Sequence, residues 1–208
     1  MRFARSATIV IALVTALAWL VTEVVGGLAS AAIMFGFIPA RLSGQLPIEG
    51  ALPALLTPLS STLAHGGILH LAFNMLMLLW CGSAVERALG RWALLLLYVL
   101  GAYAAALAQW LAGPESMTPV IGASGAISAV IGAFALSFGQ QKRIVRSPTL
   151  NRWINAFWLL ATWVALQLMV GWAAGAEGAL VAVPAHIGGF LAGLAIQRPL
   201  LMWRYRNA

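Results

Sequence analysis

Charged residues are scarce in this chain, and their scarcity excludes most soluble folds. Only 8% of the 208 residues are charged and 62% are hydrophobic, whereas a soluble domain has about 25% charged residues. The single cysteine, Cys81, can form no internal disulfide. Aspartate is absent, so no site in the chain can use an aspartate side chain. The composition therefore predicts an integral membrane protein.

Six apolar segments are long enough to cross a bilayer, which takes about 20 residues in a helix. They cover residues 7–25, 69–84, 92–111, 120–138, 153–172 and 180–202. We expect an all-α, polytopic membrane protein, with six transmembrane helices in one domain spanning residues 1–208. Residues 26–64 are apolar but broken by glycine and proline, which predicts an external loop with short interfacial helices.

The first segment could instead be a cleaved signal peptide, because Arg2 and Arg5 precede it and small residues follow it. Its apolar run of about 19 residues is longer than the ~7–15 residues of a signal peptide. We therefore favour a retained helix.

The basic residues predict the orientation of the chain in the membrane. With the N-terminus in the cytoplasm, every Lys and Arg except Arg41 falls on the cytoplasmic side, in agreement with the positive-inside rule. Both termini are then cytoplasmic, and the loop at 26–64 is external. The net charge of +7 could suggest a nucleic-acid partner, but the basic residues are spread through short loops and form no basic helix.

Four polar side chains lie near the external ends of the second, fourth and sixth segments. His70 and Asn74 belong to the second segment, Ser124 to the fourth and His186 to the sixth. These three segments run in the same direction, so the four side chains are expected at a similar depth. Polar side chains are costly inside a membrane, which makes this group a candidate functional site.

Small residues can bring two of these helices together. Gly189 and Gly193 follow His186 at helical spacing and share its face. Gly125 occupies a similar position in the fourth segment, and small residues at such spacing let helices approach closely in membranes. We expect this packing to bring His186 beside Ser124.

The four residues have the chemistry of a serine hydrolase. A serine hydroxyl needs a neighbouring base, and His186 can accept its proton. Since there is no aspartate and no glutamate is clearly linked to His186, a Ser–His dyad is expected rather than a triad. His70, Asn74 and the backbone N–H of Ser124 could stabilise an oxyanion. Gly122 and Gly125 would allow a tight turn and leave room for a substrate.

Other interpretations apply to several of the polar residues. We interpret His65 as a structural residue that holds the glycine-flanked turn to the bundle. Glu86 and Arg87 are expected to cap the cytoplasmic end of the second helix. His65 and His70 are five residues apart and the HExxH motif is absent, so neither a metal nor a cofactor is expected. A solute transporter is disfavoured because no inverted repeat is visible.

Four motifs in this order and spacing resemble those of the rhomboid family of intramembrane serine proteases. They are HGGILHLAFN at 65–74, GSAVERALG at 82–90, GASG at 122–125 and AHIGGFLAG at 185–193. The resemblance covers essentially the whole chain and is to a minimal, bacterial six-helix form.

The resemblance implies a nucleophile, a base and a class of substrate. Ser124 would be the nucleophile and His186 the base, with His70, Asn74 and the Ser124 backbone forming the oxyanion hole. Gly122, Gly189 and Gly193 match positions that permit close approach of the two catalytic helices. Family substrates are single-span membrane proteins, cut within or near the span. The expected location is the bacterial inner membrane, with the active site opening to the periplasmic side.

The chain departs from the family pattern at two places. Many members carry an aromatic residue one turn after the nucleophile, stacked on the catalytic histidine, but here that residue is Ser128. Phe190 is a candidate to take its place. The external loop also lacks the tryptophan–arginine pair of many bacterial members. An alternative function is that of an inactive relative that binds membrane helices, although such proteins usually lose the serine or histidine that this chain keeps.

Overall fold

The computed structural model describes residues 6–138, 144–173 and 182–206. Its helices are α1 (Ala7–Val25), α2 (Gly27–Phe35), α3 (Pro39–Leu42), α4 (Thr57–Ser60), α5 (Ile68–Met77), α6 (Ser83–Leu89), α7 (Arg91–Ala112), α8 (Ser124–Phe138), α9 (Pro148–Ala173) and α10 (Val183–Arg204). Two 3-10 turns, Ala54–Leu56 and Ser61–Leu63, flank α4. A π turn at Leu78–Gly82 joins α5 and α6 into one helix, Ile68–Leu89.

The first helix has the bounds predicted from the sequence, whereas the fourth begins later than predicted. Residues 120–123 were expected to be helical, but α8 starts at Ser124. Val120 instead pairs with Phe37 in an antiparallel bridge, with N···O distances of 2.8 and 3.0 Å. Gly122 has a φ of +113°, a conformation that a helix cannot contain. This pairing ties the segment before α8 to the loop after α2.

The other predicted segments differ from the helices mainly in length. The second continues beyond residue 84 to Leu89, the third covers Arg91–Ala112, and the fifth starts earlier, at Pro148. The sixth was predicted to start at residue 180, but α10 starts at Val183, and residues 180 and 181 lie outside the described residues. Pro184 occupies the first turn of α10, where its missing N–H costs no helical hydrogen bond.

Within the described ranges, three helices are long and apolar enough to cross a membrane: α1, the joined α5–α6 helix and α7. The apolar helix α8 is shorter, at 15 residues. The last two helices, α9 and α10, have 26 and 22 residues and contain polar side chains such as Gln167 and Gln197.

Helix α8 forms the centre of the bundle. Its side chains Ile127, Val130 and Ile131 are fully buried, and α10 packs closely against both α7 and α8. Helix α1 is peripheral, because its buried residues are only Ala7, Thr8, Ala12 and Thr15. Its large exposed side chains, such as Leu13 and Leu17, are suited to contact with lipid.

Glu86 joins α6 to the N-terminus of α1. Its carboxylate accepts hydrogen bonds from the Ser6 hydroxyl (2.8 Å), the Ala7 N–H (2.7 Å), and the N–H (3.0 Å) and hydroxyl (2.6 Å) of Thr8. A helix N-terminus has unpaired N–H groups and favours a negative charge. The expectation that Glu86 caps the end of its own helix is therefore wrong, because the helix end that it caps is the N-terminus of α1.

We expect Glu86→Gln to lower the stability of the bundle. The amide would replace one acceptor oxygen with a donor that faces other donors, a change that costs about 1–3 kcal/mol in a partly buried site. Thermal unfolding in detergent would measure the loss. Glu23→Gln is the matched control, because Glu23 is exposed on α1. Equal unfolding temperatures for the two variants would contradict the capping role.

Candidate active site

Ser124 and His186 meet in the interior of the bundle. The Oγ of Ser124 lies 2.9 Å from Nε2 of His186. Both residues are buried, at 6% and 4% exposure, and each lies in the first turn of its helix, α8 or α10. The contact is short enough for direct proton transfer between the hydroxyl and the imidazole.

Close packing of α8 and α10 positions this pair. A Cβ atom on Gly189 would collide with the carbonyl oxygen of Gly125, and one on Gly193 would collide with that of Ala129. The two backbones therefore touch over at least one full helical turn, which only glycine permits. The structure thus brings together Gly125, Gly189 and Gly193, the small residues that the sequence indicated.

His70 and Asn74 lie over Gly122, two residues before Ser124. A Cβ on Gly122 would be 2.8 Å from Nε2 of His70 and 3.7 Å from Nδ2 of Asn74. Nδ1 of His70 accepts a hydrogen bond from the Gly66 N–H at 3.3 Å, so in the neutral ring Nε2 carries the proton. Two side-chain donors thus face the chain segment that leads into Ser124.

Asn74 has an unpaired amide donor among the described residues. Its side chain is fully buried, and Nδ2 has no hydrogen-bond partner among the described residues. A buried donor without a partner is unusual and calls for an explanation. A transient negative charge beside Ser124 would supply the missing acceptor.

His65 anchors the turn before Ser124. Its buried ring accepts a hydrogen bond at Nε2 from the Ala123 N–H, at 3.3 Å. Burial, reinforced by the neighbouring His70, lowers the pKa of His65 to about 3, so the ring stays neutral and able to accept at physiological pH. The Gly122 N–H also donates to the carbonyl oxygen of Ser61 at 2.9 Å. These contacts agree with the structural interpretation of His65.

Within the described part of the chain, no third residue completes a triad through His186. Its Nδ1 atom is buried and has no hydrogen-bond partner there, and Glu177 lies outside the described residues. The described residues also contain no group of three His, Cys, Asp or Glu side chains that could hold a metal. Among the described residues, Ser124 and His186 form a pair without a third partner.

Two buried residues of α9 were not singled out from the sequence, Trp163 and Gln167. The ring of Trp163 lies edge-on to that of His186, with centroids 6.4 Å apart, and its Nε1 donates to the Ser128 hydroxyl at 2.7 Å. The sequence suggested Phe190 as the aromatic neighbour of His186, but the ring found edge-on to it is Trp163. Gln167 could have been found from the sequence, because a glutamine within an apolar helix indicates a functional polar contact.

A small, partly open cleft lies beside Ser124. Most of the side chains that line it near Ser124 are small, and one is a buried amide. They are Ala105, Ala106, Gln109, Gly125 and Ala126. The cleft has room for a water molecule next to the hydroxyl.

A buried Ser–His pair inside a bundle of apolar helices defines the class of a membrane-embedded serine-hydrolase-like protein. A family model of the rhomboid domain matches residues 53–203. The chain therefore belongs to the rhomboid family, as its motifs indicated, and it is a multi-pass helical membrane protein.

Named relatives include proteases of two bacteria. The chain is 30% identical over 178 residues to Rhomboid protease GluP of Bacillus subtilis (strain 168), covering 85% of this chain and 32% of the relative. It is 30% identical over 154 residues to Rhomboid protease AarA of Providencia stuartii, covering 65% and 52%. RHOMBOID-like protein 5 of Arabidopsis thaliana is 30% identical over 138 residues, covering 66% and 41%. The chain thus spans between a third and about half of these relatives' lengths.

Proposed function

We propose that this protein is an intramembrane serine endopeptidase that cleaves the transmembrane segments of single-span membrane proteins. The observation that carries the proposal is the 2.9 Å contact between the Ser124 hydroxyl and the His186 imidazole. It lies within the region that matches the rhomboid domain. The names of the two bacterial relatives, both rhomboid proteases, support the same activity.

The proposed reaction is acyl transfer through the dyad. His186 Nε2 accepts the Ser124 proton as Oγ attacks the scissile carbonyl carbon. The resulting oxyanion receives hydrogen bonds from Asn74 Nδ2, His70 Nε2 and the Ser124 N–H at the start of α8, where the helix dipole favours negative charge. His186 then gives its proton to the leaving amine. Water, activated by the same imidazole, hydrolyses the acyl-enzyme and releases Ser124.

The distribution of charge supports the proposed orientation in a bacterial inner membrane. The guanidinium of Arg204 lies against Gly90, so the end of α10 meets the α6–α7 turn that carries Arg87 and Arg91. Ser124 and His186 lie in the first turns of α8 and α10, at the end of the bundle away from Arg204. With basic residues on the cytoplasmic side, both termini are cytoplasmic and the active site opens toward the periplasm. Neither a cofactor nor a metal enters the proposed reaction.

A fluorophosphonate probe tests the proposal, because it reacts covalently only with an activated serine. We expect labelling of the purified protein, with the modified residue mapped by mass spectrometry to Ser124. Ser61 is a matched control, since it is also buried and lies near the cleft but has no histidine partner. Incubation with single-span membrane proteins should then produce new termini within or near their spans.

Two results would contradict the proposal. One is a protein that neither reacts with the probe nor cleaves any span, which would favour the alternative of an inactive relative that binds membrane helices. The other is labelling that persists after Ser124→Ala, which would place the reactive serine elsewhere.

A further inference from the structure

Two buried side chains of α9 contact different parts of the proposed active site. Trp163 and Gln167 are four residues apart, so they share one face of the helix. Both are buried, at 1% and 7% exposure. Trp163 contacts His186, the proposed base, and Gln167 contacts Asn74, a proposed oxyanion donor.

Trp163 borders His186 and is itself held at two points. Its indole Nε1 donates to the Ser128 hydroxyl at 2.7 Å, and that hydroxyl donates to the backbone carbonyl of Ser124 at 2.7 Å. The indole ring also stacks on Phe73, with centroids 5.6 Å apart and planes 15° from parallel. The edge-on contact of Trp163 with His186, at 6.4 Å and 68°, has the geometry that aromatic pairs prefer. The imidazole is therefore bordered by a ring that cannot easily turn.

Gln167 contacts Asn74, on the oxyanion side of the proposed site. Its Nε2 donates to Oδ1 of Asn74 at 3.5 Å. An amide whose oxygen faces a donor must present its NH₂ group on the other side. That group, Nδ2, is the unpartnered donor that lies near Gly122. With the amide reversed, the oxygen would face the oxyanion and repel it.

We propose that Trp163 and Gln167 are positioning residues of this site, Trp163 for His186 and Gln167 for Asn74. The inference rests on the proposed peptidase function. One face of α9 then sets the orientation of both the proton acceptor and an oxyanion donor, although neither side chain touches the reacting atoms.

The test is a set of three double-mutant cycles on cleavage of a reporter span. We expect Gln167→Leu to lower kcat about tenfold with little change in KM, because misplacing one donor costs transition-state binding. In an Asn74→Ala background the same change should have no further effect, since Gln167 acts only through Asn74. Trp163→Leu should also lower kcat by about tenfold or more, and its effect should multiply with that of Asn74→Ala.

The third cycle separates the effect of the indole N–H from that of the ring. Trp163→Phe keeps a ring beside His186 and loses only the hydrogen bond to Ser128, so we expect it to recover most of the activity that Trp163→Leu loses. In a Ser128→Ala background, Trp163→Phe should cause no additional loss. Trp158→Leu is the matched control on α9, because Trp158 is 61% exposed, and it should cleave at the wild-type rate.

Specific results would overturn the inference without touching the proposed function. They are a wild-type kcat in Gln167→Leu, or an effect of Gln167→Leu that multiplies with that of Asn74→Ala. Equal losses in Trp163→Phe and Trp163→Leu would overturn the role of the ring. The proposed function is judged separately, on the wild-type protein: if it neither reacts with a fluorophosphonate nor cleaves the reporter, the peptidase proposal itself is wrong.

Discussion

Ser124→Ala is expected to reduce cleavage of a reporter span by at least about 10³-fold, and His186→Ala should reduce it to a similar extent. Members of a nucleophile–base pair act as a unit, so the double variant should be no slower than either single one. The residual rate would come from binding and the oxyanion donors alone. Rates of product formation in liposomes, measured by gel densitometry, would provide the comparison.

The stability of these variants should change little, which separates a chemical effect from a folding effect. Ser124→Ala removes one oxygen and its 2.9 Å contact with His186, and it leaves the packing of α8 unchanged. Ser61→Ala is the control, because it removes a hydroxyl whose hydrogen bond among the described residues is to the Pro58 carbonyl, and it should retain activity. A Ser124→Ala protein that cleaves at the wild-type rate would rule out Ser124 as the nucleophile.

Gly193→Val is expected to destabilise the bundle and abolish activity together. A Cβ at this position would lie on the backbone of Ala129, against its carbonyl oxygen, carbonyl carbon and Cα. Backbone atoms cannot rotate away as a flexible side chain can, so α8 and α10 must separate. Overpacking of this kind costs about 1–3 kcal/mol or more, and the separation would also move His186 away from Ser124.

A matched glycine substitution tests whether the effect comes from this interface. Gly26→Ala adds a Cβ whose nearest neighbour is 3.9 Å away, so its unfolding temperature and cleavage rate should remain close to wild type. Gly193→Val should unfold several degrees lower in detergent and show no labelling by a fluorophosphonate. Wild-type stability in Gly193→Val would mean that the helices are not in contact at this point.

The sequence predicted those parts of the site that depend on local pattern. Helical spacing placed Gly189 and Gly193 on the face of His186, and the alternation of spans placed Ser124 and Asn74 at one end of the bundle. Each inference needs only the periodicity of a helix and the direction of a span. In the structure the Ser124 and His186 side chains lie 2.9 Å apart.

The features that escaped prediction depend on contacts between residues distant in sequence. The start of α8 is set by the pairing of Val120 with Phe37, and no local signal at Val120 reveals it. The donors that Glu86 caps belong to α1, not to its own helix. Trp163 reaches His186 only because α9 packs beside α8 and α5, so the pattern around Ser128 could not identify the ring beside the imidazole.

The backbone contact between α8 and α10 also bears on how a substrate can enter. Helices that touch through carbonyl oxygens and glycine Cα atoms can neither part nor slide without losing that contact, so this pair forms a fixed frame. If the proposed peptidase admits a substrate helix from the side, the opening would lie elsewhere. Helix α9 borders the site through the side chains of Trp163 and Gln167. Displacing α9 would withdraw Trp163 from Ser128 and Gln167 from Asn74. In the proposed peptidase, a substrate would enter while α9 is displaced and the site is incomplete. Cleavage would follow only after α9 has returned.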